Sequence, residues 1–295
     1  MSSFEERYSR VRDYILHKVL GRYMSKHKNR SYYPVVVGGT NINRCLRLSP
    51  HTRKLLDSLF SSDVDLDFVI VNDNVPIDVV HQKRMLFLYD VLNDVGLNSY
   101  LKRLGNVRLR LDDKTIHMKH LRVSKMMLVT LKLESFNDFG HVLDSKTIMD
   151  CPLYHKGNVE DFRLYARFFP KLKLPIPYIT HKGVFYATCG YIYYDTVRMM
   201  LYYSRELRID NDEFNYKKLA RYIIKFSALY LLMNKLDGDK DPNYKNIVVI
   251  YEATKKLLQD MEAVRKRNNE DLYKLIKKLS AQTDLKDLQA IIDRT

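Results

Sequence analysis

The stretch Ser62-Asp-Val-Asp-Leu-Asp-Phe-Val-Ile70 decides the fold that we predict, because it places an aspartate at every second position of an apolar segment. This alternation predicts a β-strand that directs Asp63, Asp65 and Asp67 toward one side. Carboxylates crowded on one face repel each other, and burying them without a counter-charge is costly. The pattern therefore predicts a divalent cation between at least two of them, with Asp67 in a supporting role.

A glycine turn precedes this strand. The segment Pro34-Val-Val-Val37 predicts a short buried strand that ends at Gly38 and Gly39, and residues 41–60 predict a helix interrupted at Ser49-Pro50. A glycine bend before a helix start exposes backbone N–H groups at the positive end of a helix dipole, where phosphate binds well. Thr40 adds a hydroxyl. The expected order is strand, phosphate-holding turn, helix and aspartate strand.

The rest of the chain predicts an α/β (α+β) fold, in which a mixed sheet flanked by helices is followed by a mainly helical domain. We expect an N-terminal helix in residues 1–30, a catalytic domain in 31–169 and a helical domain in 170–295. The N-terminal helix should start at a Ser2-x-x-Glu5 capping box. The other predicted elements are a long helix at 79–104, strands at 107–111, 125–134 and 142–149, turns at 112–114 and 137–140, a proline-marked connector around 170–177, and helices at 191–207, 216–236, 246–267, 271–279 and 285–292.

A third carboxylate is needed to complete a metal site on the aspartate strand, and two candidates have the right parity. Asp150 ends the apolar segment Thr147-Ile-Met-Asp150, and Asp144 lies six residues earlier. Asp112 and Asp113 instead indicate a hairpin turn, where aspartate forms local hydrogen bonds. Asp150 is the preferred ligand, and Asp144 is the alternative.

Composition limits the class of protein. The 295 residues hold 50 Lys and Arg against 35 Asp and Glu, a net charge of +15, which favours a polyanionic partner such as nucleic acid. The three cysteines are far apart, which argues against zinc and against a disulfide framework and indicates a reducing compartment. The start is charged and no apolar run has the length of a membrane span, so we expect a soluble, cytoplasmic protein with no membrane partner. Neither a P-loop nor a G-x-S-x-G nucleophile turn is present.

Two aspartates facing a phosphate-holding turn can bind two divalent ions that bridge a triphosphate and activate a hydroxyl, which is nucleotidyl transfer. Gly38, Gly39, Ser62, Asp63 and Asp65 also resemble the nucleotidyltransferase signature of the DNA polymerase beta superfamily, a glycine turn followed by S-D-h-D-h. The expected site is Asp63, Asp65 and Asp150 as catalytic ligands of two Mg²⁺ or Mn²⁺ ions. The expected nucleotide-binding residues are Gly38, Gly39, Thr40 and Ser62.

The second half resembles a narrower group. Gly190-Tyr-Ile-Tyr-Tyr-Asp-Thr-Val-Arg-Met199 and Tyr216-Lys-Lys-Leu-Ala-Arg-Tyr-Ile-Ile-Lys225 are similar to the helical region of poly(A) polymerase catalytic subunits of large cytoplasmic DNA viruses, the poxvirus, asfarvirus and mimivirus group. Together with the first half, this resemblance spans about residues 34–236. It implies addition of AMP from ATP to an RNA 3′ end, a viral factory or virion location, and either a homodimer or a complex with a partner subunit.

The sequence leaves alternative roles for several residues and two alternative functions open. Tyr191, Tyr193, Tyr194 and Arg198 fit core packing as well as base stacking with a phosphate contact, to which Lys225 could add. Lys125 and Lys132 on the central strands could reach phosphate oxygens or could be solvated. The alternative function is a catalytically inactive subunit of the same fold that acts as an RNA-binding, virion or dimer-partner protein. A third is a nucleotidyltransferase that acts on a small molecule or protein.

Overall fold

A computed structural model describes residues 3–47, 63–70, 75–116, 126–154, 178–193 and 213–233, together with 195, 196, 199 and 203. The chain divides into two compact units. The first comprises Met1–Asn41, Ser61–Phe168 and Lys173–Ala187, and the second comprises Ile42–Phe60, Phe169–Leu172 and Thr188–Thr295. No described helix is both long enough and apolar enough to cross a membrane.

A mixed seven-stranded sheet organises the first unit, as the α/β prediction requires. Its strand order is β3-β4-β5-β2-β1-β7-β6. The central strand β2 runs antiparallel to β1 and parallel to β5, and β1 runs parallel to β7. The strands are β1 (Tyr32–Val36), β2 (Val64–Ile70), β3 (Val107–Ile116), β4 (Met126–Phe136), β5 (Val142–Tyr154), β6 (Tyr178–His181) and β7 (Val184–Ala187).

Helices flank this sheet and form the described part of the second unit. The helix α3 begins at Gly38 itself, three residues earlier than predicted, so the glycine bend is part of its first turn. Residues 189–193 are also helical. The helices are α1 (Phe4–Tyr14), α2 (Leu20–Met24), α3 (Gly38–Leu46), α4 (Ile77–Leu92), α5 (Val95–Leu104) and α6 (Glu213–Met233), with a π-helical turn at Ile15–Val19 between α1 and α2.

The N-terminal helical segment packs into the core of the sheet rather than standing apart from it. Tyr8, Val11, Ile15 and Val19 are buried in the same apolar cluster as the strand residues. The predicted capping box is wrong by one position, because the Oγ of Ser3 accepts the N–H of Glu6 at 3.2 Å. The periodic apolar face predicted this helix, and its burial explains the periodicity.

The predicted long helix at 79–104 is wrong, because the chain forms two helices there. Asp94 caps α5 by accepting the N–H of Leu97 at 2.8 Å. The same carboxylate, which is 3% exposed, also accepts bonds from Arg22 and Tyr23 at 2.9 Å each. A buried aspartate with three donors ends one helix and starts the next, which apolar periodicity alone does not reveal.

The strands on this side of the sheet are longer than predicted. Residues 112–114, predicted as a turn, lie inside β3, where Asp112 accepts a bond from Lys132 of β4 at 2.6 Å. β5 continues to Tyr154, so Asp150 lies inside a strand rather than at its end. β6 and β7 were not predicted, and they lie just after the stretch that was predicted as a connector.

In the second unit, aromatic packing joins residues 189–193 to α6. Tyr193 stacks on Phe226 with ring centroids 5.6 Å apart, and both are buried. Cys45 and Cys189 form a disulfide, so the prediction of unpaired, reduced cysteines is wrong for this pair. The two cysteines are 144 residues apart, so no local sequence pattern indicated that they pair. The helices predicted at 246–267, 271–279 and 285–292 lie outside the described residues.

Candidate metal and phosphate site

Two neighbouring strands bring three carboxylates together. In the parallel pair of β2 and β5, Asp65 lies opposite Asp150, and paired residues of adjacent strands direct their side chains to the same face. Asp63 precedes β2 with the same parity as Asp65. One ligand atom from each of the three carboxylates lies within 4.8 Å of the others, and all three residues are partly buried.

The structure separates the two candidates for the third carboxylate. Asp150 lies in the cluster, whereas Asp144 is exposed and accepts a hydrogen bond from Ser135 at 2.9 Å. Asp144 pairs with Ser135 near the β4–β5 turn, six residues along β5 from Asp150. Asp150 is therefore the residue that can share a cation with Asp63 and Asp65.

Burial and repulsion govern the protonation of the cluster. Burial, the negative charges of Asp65 and Asp63, and a hydrogen bond with Asp65 together raise the pKa of Asp150 to about 9, and burial is the largest of these causes. The cluster therefore retains a proton at neutral pH when no cation is bound. Three converging carboxylate oxygens are the hard ligands that Mg²⁺ and Mn²⁺ prefer, so the donor set fits a divalent ion that would take the place of that proton.

The glycine bend supports this cluster directly. Gly38 has a φ of 61°, and a Cβ at this position would collide with the Oδ2 atom of Asp65. The N–H of Gly39 donates to the same Oδ2 at 3.0 Å. Only glycine tolerates both the left-handed backbone and the close approach of the carboxylate. The bend therefore holds Asp65 in place.

Further backbone contacts join α3 to the aspartate strand. The hydroxyl of Thr40 donates to the carbonyl of Asp63 at 2.8 Å, and the N–H of Val37 donates to the carbonyl of Asp65 at 2.9 Å. The N–H of Gly39 and the hydroxyl of Thr40, both predicted to hold phosphate, thus bond to the aspartate strand in this structure. Their binding of a triphosphate stays a prediction. Ser62 lies outside the described residues.

Sequence reasoning gave no role to Asn41, which fixes the start of α3. Its side chain is fully buried and donates to the carbonyls of Val36 at 3.1 Å and Ala187 at 2.8 Å. These carbonyls end the parallel strands β1 and β7. A polar side chain in the first turn of a helix that directly follows a strand was the available signal.

The sequence also gave no indication of two residues whose side chains bond to the backbone of β5. The hydroxyl of Tyr8 donates to the carbonyl of Thr147 at 2.7 Å, and burial raises the pKa of this phenol, with smaller contributions from the nearby charges of Asp63 and Asp150. Arg84 of α4 is completely buried and donates to the carbonyl of Cys151 at 2.6 Å. Both fix the backbone of the strand that carries Asp150.

The remaining predicted contact residues lie in ordinary structural settings. Tyr191 and Tyr193 are buried, which agrees with core packing. Lys132 pairs with Asp112, and the Lys225 ammonium lies 4.9 Å from the ring centroid of Tyr222. Tyr194, Arg198 and Lys125 have no described side chains.

No protein-family model matches this sequence, and no curated protein is significantly similar to it.

Proposed function

We propose that this protein is a template-independent nucleotidyltransferase of the poly(A) polymerase type, which adds AMP from ATP to the 3′ hydroxyl of RNA. The observation that carries the proposal is the convergence of Asp63, Asp65 and Asp150 beside the glycine bend at the start of α3. Carboxylates from two parallel strands next to a helix N-terminus suit a metal-bound triphosphate. The choice of ATP and RNA depends on the sequence resemblance and on the net charge of +15.

The roles of the chain's own residues follow from their positions. Asp63 and Asp65 would hold two Mg²⁺ or Mn²⁺ ions, and Asp150 would complete the set for one of them. When bound, such ions neutralise charge on the phosphates and favour ionisation of the attacking hydroxyl. The N-terminal N–H groups of α3 would face the triphosphate. Gly38 and Gly39 keep the Asp65 carboxylate beside that helix end.

A primer-extension assay tests the proposal. The purified protein is incubated with labelled oligo(A), each NTP in turn, and Mg²⁺ or Mn²⁺. We expect extension with ATP, and a loss of at least about a hundredfold in rate for Asp63→Asn or Asp150→Asn, because each removes a ligand to charge-stabilising metal. Asp144→Asn is the matched control and should keep the wild-type rate, because Asp144 contacts only Ser135 among the described hydrogen bonds.

The outcomes separate the competing functions. Extension that survives Asp150→Asn would contradict the assigned site. Tight RNA binding without extension under any condition would instead support an inactive subunit of the same fold. Nucleotide transfer to a small molecule or protein, with no transfer to RNA, would support the third alternative.

A further inference from the structure

A polar cavity lies at the opposite end of β1 from the carboxylates. It has a volume of about 400 Å³, and its walls include Lys26, Lys28, Asn29, Lys83, Leu86 and Asp90. Tyr32, which also lines it, pairs with Ile70, whereas Val36 pairs with Leu66 beside the aspartates. Four rises of about 3.3 Å separate Tyr32 from Val36 along the strand, so this cavity is distinct from the carboxylate cluster.

Hydrogen bonds fix the loop that forms one wall. The Oδ1 of Asn29 accepts the N–H groups of Ser31 and Tyr32 at 2.8 Å each, and the N–H of Asn29 donates to the carbonyl of Tyr32 at 3.0 Å. His27 is only 8% exposed, and its Nε2 lies 2.7 Å from the Oδ2 of Asp90. The loop therefore presents its lysines from a fixed backbone.

Positive charge exceeds negative charge in this cavity. Lys26 pairs with Asp90 at 2.7 Å, and hydrogen bonds from Lys26 and His27 lower the pKa of Asp90, so this carboxylate stays ionised. Lys28 bonds to the hydroxyl of Tyr178. Lys83 is exposed, and no carboxylate among the described residues pairs with it. Three lysines and one aspartate thus line the cavity.

We propose that this cavity binds a phosphate group of a nucleotide-sized ligand. Lys28 and Lys83 come from different elements, the loop after α2 and the helix α4, and two lysines without an acidic partner supply the charge that a phosphate dianion requires. Leu86 is 51% exposed at the wall, where it offers an apolar surface to the sugar or base. The phosphate could belong to a free nucleotide or to an RNA strand. The proposal does not depend on catalysis at the carboxylate cluster.

The test is a binding titration in EDTA, which removes the divalent ions that the carboxylate cluster would need. The probes are inorganic tripolyphosphate, ATP and fluorescent oligo(A), added to the wild-type protein and to Lys83→Gln and Lys28→Gln. Each substitution should weaken binding by about tenfold, because it removes one charge-assisted contact. Lys102→Gln is the matched control, an exposed lysine on α5 outside the cavity, and should change affinity by less than about twofold.

Every result decides the proposal. Binding of tripolyphosphate that Lys83→Gln weakens supports the phosphate site, and the same loss with ATP identifies a free nucleotide as a ligand. The same loss seen only with oligo(A) identifies an RNA strand. No binding of any probe at millimolar concentration, or an equal effect of Lys83→Gln and Lys102→Gln, overturns the proposal. Circular dichroism verifies that each variant is folded.

Discussion

A side chain at position 38 would occupy the space that the carboxylate of Asp65 fills, in a backbone conformation with a φ of 61°. Gly38→Ala should therefore move Asp65 out of the cluster and also strain the backbone, which costs about 1–2 kcal/mol by itself. We expect a loss of folding free energy larger than this amount, together with loss of extension activity. Urea denaturation and the primer-extension assay measure the two effects.

Gly140→Ala provides the control for this substitution. Gly140 has a φ of 81°, and nothing lies within 4 Å of the position of its Cβ. Its substitution should lower the folding free energy only by the backbone strain and leave activity intact. If Gly38→Ala destabilised the protein no more than Gly140→Ala and remained active, the proposed close approach of Asp65 would be wrong.

The protonation of Asp150 predicts how stability depends on pH. Its pKa is about 9 in the folded protein and near 3.8 when unperturbed, so in this window the folded state retains a proton that the unfolded state has lost. Stability from this group is therefore full below about pH 4 and is lost as the pH rises toward 9. In EDTA, we expect the urea midpoint of the wild-type protein to fall between pH 6.5 and 8.5.

Asp150→Asn isolates this effect, because the amide does not titrate. Its urea midpoint should change less over the same interval, and added Mn²⁺ should raise the wild-type midpoint more at pH 8.5 than at pH 6.5. Equal pH dependence in the two proteins would show that Asp150 is already ionised without a cation.

At the scale of elements, the sequence predicted the strands and helices in which the spacing of apolar residues reflects their burial. The alternation in Asp63–Ile70 and the apolar run after Pro34 gave two neighbouring central strands, and the three- and four-residue periodicity gave the N-terminal helix. Asp150 was preferred over Asp144 because it follows an apolar segment, and that segment is buried in β5. Local apolar patterns were sufficient at these positions.

Elements that depend on distant partners could not be predicted in this way. Asp94 lies between α4 and α5, and its carboxylate accepts hydrogen bonds from Arg22 and Tyr23, which are more than 70 residues earlier in the chain. Asp112 extends β3 because Lys132 neutralises it across the strand pair. Isolated aspartates favour turns and caps, so only knowledge of the partner strand would have corrected the predicted turn.

The disulfide joins α3 to the helical residues that follow β7. Crosslinking two cysteines that are 144 residues apart restricts the unfolded chain, which typically stabilises a protein by about 2–4 kcal/mol. Dithiothreitol should therefore lower the free energy of unfolding of the wild-type protein by this amount. Chemical denaturation with and without the reductant measures it.

The double variant Cys45→Ser/Cys189→Ser is the control for reduction. Its stability should match that of the reduced wild-type protein and should not respond to dithiothreitol. Cys151 is buried and unbridged, so it should contribute nothing to the difference. A wild-type protein that is insensitive to the reductant, with both thiols free by labelling, would contradict the bridge.

For the whole molecule, the net charge of +15 predicts how RNA binding responds to salt. Lysine and arginine side chains that contact phosphates release counterions, so affinity falls as salt concentration rises. Between 50 and 200 mM KCl, we expect the affinity for oligo(A) to fall by at least about tenfold. An oligomer with an uncharged backbone is the control and should show little dependence. Salt-independent binding of oligo(A) would show that the excess positive charge does not contribute to RNA binding.

The central claim is that Asp63, Asp65 and Asp150 converge to bind divalent ions. The most direct measurement is an anomalous-difference map at the manganese edge, from crystals grown with MnCl₂ and a non-hydrolysable ATP analogue. We predict a peak at coordination distance from all three carboxylates and from the triphosphate. A map with no peak between these carboxylates, or with manganese bound only elsewhere, would contradict the account.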